Sequence, residues 1–251
     1  MCLIIFGLNS HPTWDLVVAA NRDEFYQRPA SIANFWHDHS HLLAGRDLTA
    51  GGTWLGVDRR GRFAALTNVR QHDRADMPLS RGELVVKFLQ GDSEPEHFHN
   101  NVSSEKYGGY NLILDDGNSH WYHSNRYTSQ ELQKGVYGLS NGELNCRWPK
   151  VEGGVNDFNM ALESENLEQA LLELLLNSMP AKDEDLPNTG VGIEIERKLS
   201  PRFIKSPDYG TRVSTIILRN HEKLIFIEHQ HQPEGETIRF ELSRQSSGTY
   251  G

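Results

Sequence analysis

The chain opens Met1-Cys2-Leu3-Ile4-Ile5-Phe6-Gly7 (MCLIIFG), and a second apolar stretch, LVVAANRD, runs from Leu16 to Asp23. Both are short runs suited to strands buried on two faces. Asn9 to Asp15, NSHPTWD, separates them with the asparagine, serine, proline and aspartate of turn chemistry. The three segments read as an antiparallel hairpin. If residues near 8 and 16 close it, paired residue numbers total about 24, which sets Cys2 across from Arg22 with Cβ atoms roughly 5 Å apart. The first thiol of the chain then shares one sheet end with Asn21-Arg22-Asp23-Glu24.

Further hairpins follow. Trp54 to Val57 and Phe63 to Thr67 read as strands joined by an exposed turn in Asp58-Arg59-Arg60-Gly61-Arg62. Ser80-Arg81-Gly82-Glu83 has the form of a capping box, so a helix is expected to start there. A short helix is expected from Pro95 to Val102. Strands recur at Tyr110 to Leu114, His120 to His123 and Val136 to Leu139. Helical spacing then marks Val155 to Glu163 and Leu167 to Met179, with Pro180 as terminator. Ala181 to Asn188 reads as an exposed loop. The last strands are expected at Val213 to Arg219, Lys223 to His229 and Thr237 to Leu242, and 243–251 as a loose tail. Strands, helices, strands, helices, strands, with short hairpin links, predict one α+β domain over 1–251 with antiparallel sheets.

A length of 251 residues with 37% hydrophobic and 24% charged residues suits a water-soluble domain with a substantial core. The formal net charge of −9 disfavours nucleic acid and anionic membrane surfaces as partners. No stretch approaches the roughly 20 apolar residues of a bilayer span, so no stable membrane insertion is expected. The N-terminal apolar run lacks the length and basic flank of a secretory signal, which makes the cytoplasm the expected compartment. Two cysteines, Cys2 and Cys146, provide neither a disulfide framework nor a cysteine zinc site. The glycines of Ala50-Gly51-Gly52-Thr53 form no phosphate loop. Among the 12 histidines, His37, His39 and His41 would share one face if extended, a spacing compatible with metal or haem ligation, but with no further ligand identifiable a solvated loop is the expected reading. No cofactor is expected.

Cys2 has two readings. As a buried strand cysteine it is an inert packing group. If Met1 is removed, its α-amine, of pKa near 8, lies within the same residue and can accept the thiol proton; a free thiol near pKa 8.5 is otherwise only slightly ionised at neutral pH. Asp23 could orient that amine and Arg22 could lower the thiol pKa, and since NRDEF ends the apolar run a backbone turn is expected to aim both at the thiol. Alternatively the two form an exposed ion pair of little consequence. Asn68 and Asn141 each follow a strand and a hydroxyl residue, where an amide can serve either as a turn cap or as an oxyanion donor. Arg212 begins a strand and could complete an electropositive site.

Met1-Cys2-Leu3-Ile4, Asn21-Arg22-Asp23-Glu24, Gly45-Arg46-Asp47, Gly51-Gly52-Thr53-Trp54-Leu55-Gly56, Thr67-Asn68, Ser80-Arg81-Gly82, Ser140-Asn141 and Gly210-Thr211-Arg212 together resemble the NRDE family, over residues 1 to about 219. That family resembles the N-terminal nucleophile hydrolases, which implies a four-layer αββα sandwich of two antiparallel sheets between helix layers. It is similar in motif order to acylases that use an N-terminal cysteine on non-peptide C–N amide bonds. The resemblance implies Cys2 as nucleophile, Arg22 and Asp23 beside it, Asn68 and Asn141 as oxyanion or amine-binding groups, and Arg212 as the late arginine. In those acylases the early arginine and aspartate stand further apart, whereas here they are adjacent. The implied substrate is a small acylated amide. Family members are also linked to secretory-pathway organisation, lipid handling and haem transfer, so the alternative is a carrier of haem or a lipid-like hydrophobic ligand without turnover.

Overall fold

The computed structural model describes residues 2–70, 77–233 and 235–244. Two antiparallel sheets lie at its centre. The first is built on β1 (Cys2–Leu8) and β2 (Leu16–Phe25), flanked on one side by β10 (Gly135–Leu139) and on the other by β11 (Tyr209–Arg219), β12 (Lys223–Gln230) and β13 (Thr237–Ser243), in the order β10-β1-β2-β11-β12-β13. The second runs in chain order: β3 (Ala30–Phe35), β4 (Leu42–Asp47), β5 (Leu55–Asp58), β6 (Phe63–Asn68), β7 (Tyr110–Asp115), β8 (His120–Ser124) and β9 (Gln130–Glu131). The helices are α1 (Gly82–Gln90), α2 (Pro95–Asn101), α3 (Pro149–Ala161), α4 (Leu167–Leu175) and α5 (Ile193–Leu199).

Three apolar cores define the layers. Ile4, Phe6, Val18 and Phe226 of the first sheet meet Leu43, Val57, Phe63 and Ile113 of the second. Leu3, Ile5, Val17 and Ala19, on the opposite face of β1 and β2, pack on Val151 and Phe158 of α3 and Leu171 of α4. Ala64, Leu66, Leu112 and Leu114 pack on Leu84, Val85 and Phe88 of α1. Alternate residues of β1 thus enter different cores, as the period of a strand requires. The order is helices, sheet, sheet, helices, the four-layer α+β sandwich that the family resemblance implied.

The first hairpin has the anticipated register: Leu8 pairs with Leu16 and Cys2 with Arg22. Several boundaries differ. Strand β2 runs straight through Arg22 and Asp23 to Phe25, where a turn was expected, because β11 pairs with it as far as Tyr209 opposite Phe25. Helix α3 starts at Pro149, well before Val155, despite Gly153 and Gly154. A Cβ on Gly154 would come within 3.0 Å of Ile5 Cδ1, so close packing on β1 outweighs the poor helix propensity of glycine. The capping box at Ser80 does not form. Arg81 occupies the N-cap without a side-chain cap, and the Glu83 carboxylate instead accepts from Lys87 Nζ at 2.7 Å. Helix α4 ends at Leu175, short of Met179, and α5 lies beyond the loop that the sequence placed at Ala181 to Asn188. Arg62, expected in an exposed turn, is buried over the Phe88 ring. Ser243 closes β13, and 245–251 of the expected loose tail fall outside the described residues.

Candidate functional site

Strand β1 begins at Cys2, so the thiol sits at a sheet end and is 9% exposed. Its backbone carbonyl accepts from Ser140 Oγ at 3.0 Å, which ties the start of β1 to the end of β10. Burial pushes the Cys2 thiol up from its ordinary value and nearby Arg22 pulls it down; burial is the larger effect. A thiol in this setting needs a base to become a nucleophile.

A bulge on β11 shapes the neighbouring wall. Thr211 pairs with Asp23 and Val213 with Arg22, leaving Arg212 as the extra residue between them. Arg22 and Asp23 both line the cavity although β2 does not turn between them. Asp23 is 1% exposed, and its Oδ1 accepts from Thr211 Oγ1 at 2.7 Å. Burial raises the Asp23 pKa against the lowering charge of Lys150. Arg22 makes long ion pairs with Glu24 at 3.7 Å and Asp47 at 3.8 Å. Asn21, the first residue of the same motif, points to the helix side: its Nδ2 donates to Leu175 O at 2.9 Å and Arg202 O at 2.8 Å, and its Oδ1 accepts from Ser214 Oγ at 2.6 Å. It anchors β2 to the helix layer.

Cys2, Arg22, Asp23, Asn68 and Arg212 line one cavity of about 360 Å³ between the two sheets. Asn68 ends β6 and makes no side-chain hydrogen bond to a described residue. Asn141 is not among the lining residues. Its Nδ2 donates to Asn68 O at 2.7 Å, so it fixes the backbone that carries Asn68. Met1, whose removal an N-terminal thiol requires, lies outside the described residues.

Two buried charged groups, one in the cavity wall and one coupled to Asp23, were not selected from the sequence. Glu228 of β12 also lines the cavity, 2% exposed, with Oε1 accepting from Ala33 N at 2.8 Å across the inter-sheet gap. Burial pushes its carboxyl up to about 7. It follows apolar residues in LIFIE, a position that strand alternation flags as inward but that reads as a strand end in sequence. Lys150 at the start of α3 is 5% exposed, and its Nζ donates to Leu199 O at 3.2 Å. Burial lowers its pKa, opposed by the Asp23 charge.

The histidines serve elsewhere. His37, His39 and His41 fall in the turn between β3 and β4, where His39 N bonds to Trp36 O and Leu42 N to His39 O, so they are not extended on one face. His99 Nδ1 lies 2.6 Å from His123 Nδ1, and His229 Nδ1 2.7 Å from Thr237 Oγ1. The described residues contain no group of three or more His, Cys, Asp or Glu placed to hold a metal, and no described helix is long and apolar enough to cross a membrane.

Residues 1–233 match the family model described as Transport and Golgi organisation 2. A Bos taurus Transport and Golgi organization protein 2 homolog is 38% identical over 243 residues, 87% of this chain and 88% of the relative. The Drosophila melanogaster Transport and Golgi organization protein 2 is 27% identical, over 94% of this chain and 95% of the relative. Among solved structures, a Caenorhabditis elegans N-acylethanolamine-hydrolyzing acid amidase ortholog aligns at TM-score 0.49 and 12% identity, covering 86% of this chain and 92% of that one. A mutant conjugated bile acid hydrolase from Clostridium perfringens aligns at TM-score 0.45 and 9% identity, over the full length of both. With Arg22, Asp23 and Glu24 of its N-R-D-E motif in the cavity wall and the family match covering residues 1–233, the chain belongs to the Transport and Golgi organisation 2 family.

Proposed function

We propose that this protein is an N-terminal cysteine amidohydrolase acting on a non-peptide C–N bond of a small acylated molecule. The observation that carries the reading is the convergence of Cys2, Arg22, Asp23, Asn68 and Arg212 on one cavity at the first strand's beginning. Removal of Met1 would leave the α-amine of Cys2 beside its own thiol. The amine takes the thiol proton, and Sγ attacks the amide carbonyl carbon. The Asn68 amide is the candidate donor to the developing oxyanion. The C–N bond then breaks as the ammonium returns a proton to the leaving amine. Water attacks the resulting thioester, releasing the carboxylic acid and restoring the thiol. Asp23, held by Thr211, orients the ammonium.

Intact-mass measurement of purified protein incubated with a panel of short-chain acyl amides tests this. The expected result is a chain lacking Met1, with an acyl increment on Cys2 that hydroxylamine removes. Retained Met1, or no acyl adduct and no amide cleavage across the panel, overturns the mechanism.

A further inference from the structure

Arg212 is 6% exposed, yet its hydrogen bonds go to backbone carbonyls: Nε donates to Gln232 O at 3.1 Å, and Nη1 to Phe25 O at 3.5 Å and, more closely, to Arg28 O. It makes no ion pair with a described carboxylate. A buried guanidinium held by neutral groups is costly, and a charged partner relieves that cost. Arg212 sits in the bulge beside Val213, the residue that pairs with Arg22, and both arginines line the cavity. Burial first, and the Arg22 charge next, depress the Arg212 pKa.

The carboxylates lining the same cavity give Arg22 only long ion pairs, of 3.7 Å from Glu24 and 3.8 Å from Asp47, and have closer partners. Asp47 accepts from Arg28 Nε at 2.6 Å and from the backbone of Thr49 and Ala50 at 2.9 and 3.0 Å. Glu24 Oε1 accepts from Phe25 N at 2.9 Å, leaving Oε2 at 3.7 Å from Arg22. Glu228 is turned to the Ala33 amide, and burial leaves it only partly ionised at neutral pH. Asp23 is bound by Thr211. Of the other arginines in the wall, Arg28 is spent on Asp47, Arg46 on Asp38, which it grips through two bonds of 2.8 Å, and Arg81 donates from Nη1 to Gly109 O at 3.3 Å.

We propose that Arg212 and Arg22 form an oxyanion-binding corner, and that the ligand of this cavity is an acyl amide bearing a carboxylate or a phosphate. The assignment rests on the amidohydrolase reading for the amide and on the two guanidiniums for the anion. With Nε and Nη1 of Arg212 on backbone carbonyls, its Nη2 and the Arg22 guanidinium remain to donate to either oxyanion. The anion fixes the molecule's position, so its scissile carbonyl is presented to Cys2 in one orientation.

Protection of Cys2 from iodoacetamide, read by mass spectrometry on the full chain, tests binding independently of turnover. The probes are N-octanoylglycine, its neutral counterpart N-octanoylglycinamide, and N-octanoylphosphoethanolamine. An anionic probe should protect at a concentration at least roughly tenfold lower than the neutral one, the scale of a charge-assisted hydrogen bond. Raising salt should weaken its protection. Whether the glycine or the phosphoethanolamine compound protects better distinguishes the two anions. Equal protection by the neutral amide overturns the proposal, whether or not any probe is cleaved. Anion-dependent protection without cleavage upholds the corner and counts against hydrolysis. In Arg212→Lys the preference for the anionic probe should shrink.

Discussion

Cys2 pairs with Arg22 across the first hairpin, and Arg22 pairs on its other side with Val213, one residue past the Arg212 bulge. Arg22 is therefore the cross-strand partner of Cys2, and its charge opposes the rise that burial, and then Asp23, impose on the thiol. Replacing Arg22 by Gln should raise the Cys2 pKa further and slow its alkylation at neutral pH, with Arg22→Lys in between. The pH profile of iodoacetamide modification, with Cys2 and Cys146 peptides followed separately, checks this. An unchanged Cys2 profile in Arg22→Gln would show that the guanidinium does not act on the thiol.

Thr211 has two partners at once. Its Oγ1 donates to Asp23 Oδ1 at 2.7 Å and accepts from Ile204 N at 2.9 Å, linking the buried carboxylate to the segment before β11. Thr211→Val keeps the shape but strands both partners in a buried setting, for a cost of about 1 to 3 kcal/mol. Denaturant unfolding should show that loss. Thr211→Ser, which keeps the hydroxyl, should recover most of it. Equal losses in the two variants would show that the hydroxyl contributes no more than the methyl contact that serine gives up.

Much of this arrangement is legible in the sequence, for reasons that differ by element. The register of β1 on β2 follows from turn length, because a short antiparallel connection fixes every pair beyond it. Strands β3 and β4 escaped notice because Ala33 is the sole fully buried hydrophobic residue of β3, and β4 offers only Leu42-Leu43-Ala44 before it turns charged. Helix α5 inverts the usual pattern: Ile193 and Ile195 are exposed while Glu196 is buried against Arg70 at 2.6 Å. Apolar periodicity cannot find such a helix. The site residues emerged where one strand end collected them, whereas Glu228 and Lys150 reach the cavity region through packing of whole layers. Asn141 has a local signal, but its target, the Asn68 carbonyl, is a long-range contact.

Away from the cavity, Arg219 is fully buried and its guanidinium is bound to Asp115 and, at 2.6 Å, to Asp15 Oδ1; Asp115 Oδ2 also lies 2.6 Å from His120 Nδ1. Opposed by burial, the charges of Arg219 and His120 still hold the Asp115 carboxyl down at about 2. A depressed carboxyl contributes stability that is complete above its unfolded value near 3.9 and is lost as pH falls towards 2. Asp115→Asn should cost about 3 to 5 kcal/mol at neutral pH, since it strands a buried cation. It should also flatten the acid limb of the stability profile. A loss under about 1 kcal/mol would mean that Asp15 alone can hold Arg219.

Glu228 gives the opposite pH sign. Its carboxyl is pushed up from 4.5 to about 7 by burial, so between those values the folded chain binds more protons at this site than the unfolded chain does. Stability from this group is therefore complete below about 4.5 and declines as pH rises through 7. The shift corresponds to about 3 kcal/mol between the limits. Glu228→Gln keeps an oxygen to accept from Ala33 N and removes the ionisation. Because Asp23 and several histidines also titrate differently on folding, the informative quantity is the stability difference between wild type and variant at each pH. That difference should be near zero at pH 4 and should favour the variant increasingly from pH 5 to 8. A difference that stays flat over this range would show that Glu228 is ionised in the folded protein throughout, with its charge already compensated by Arg22.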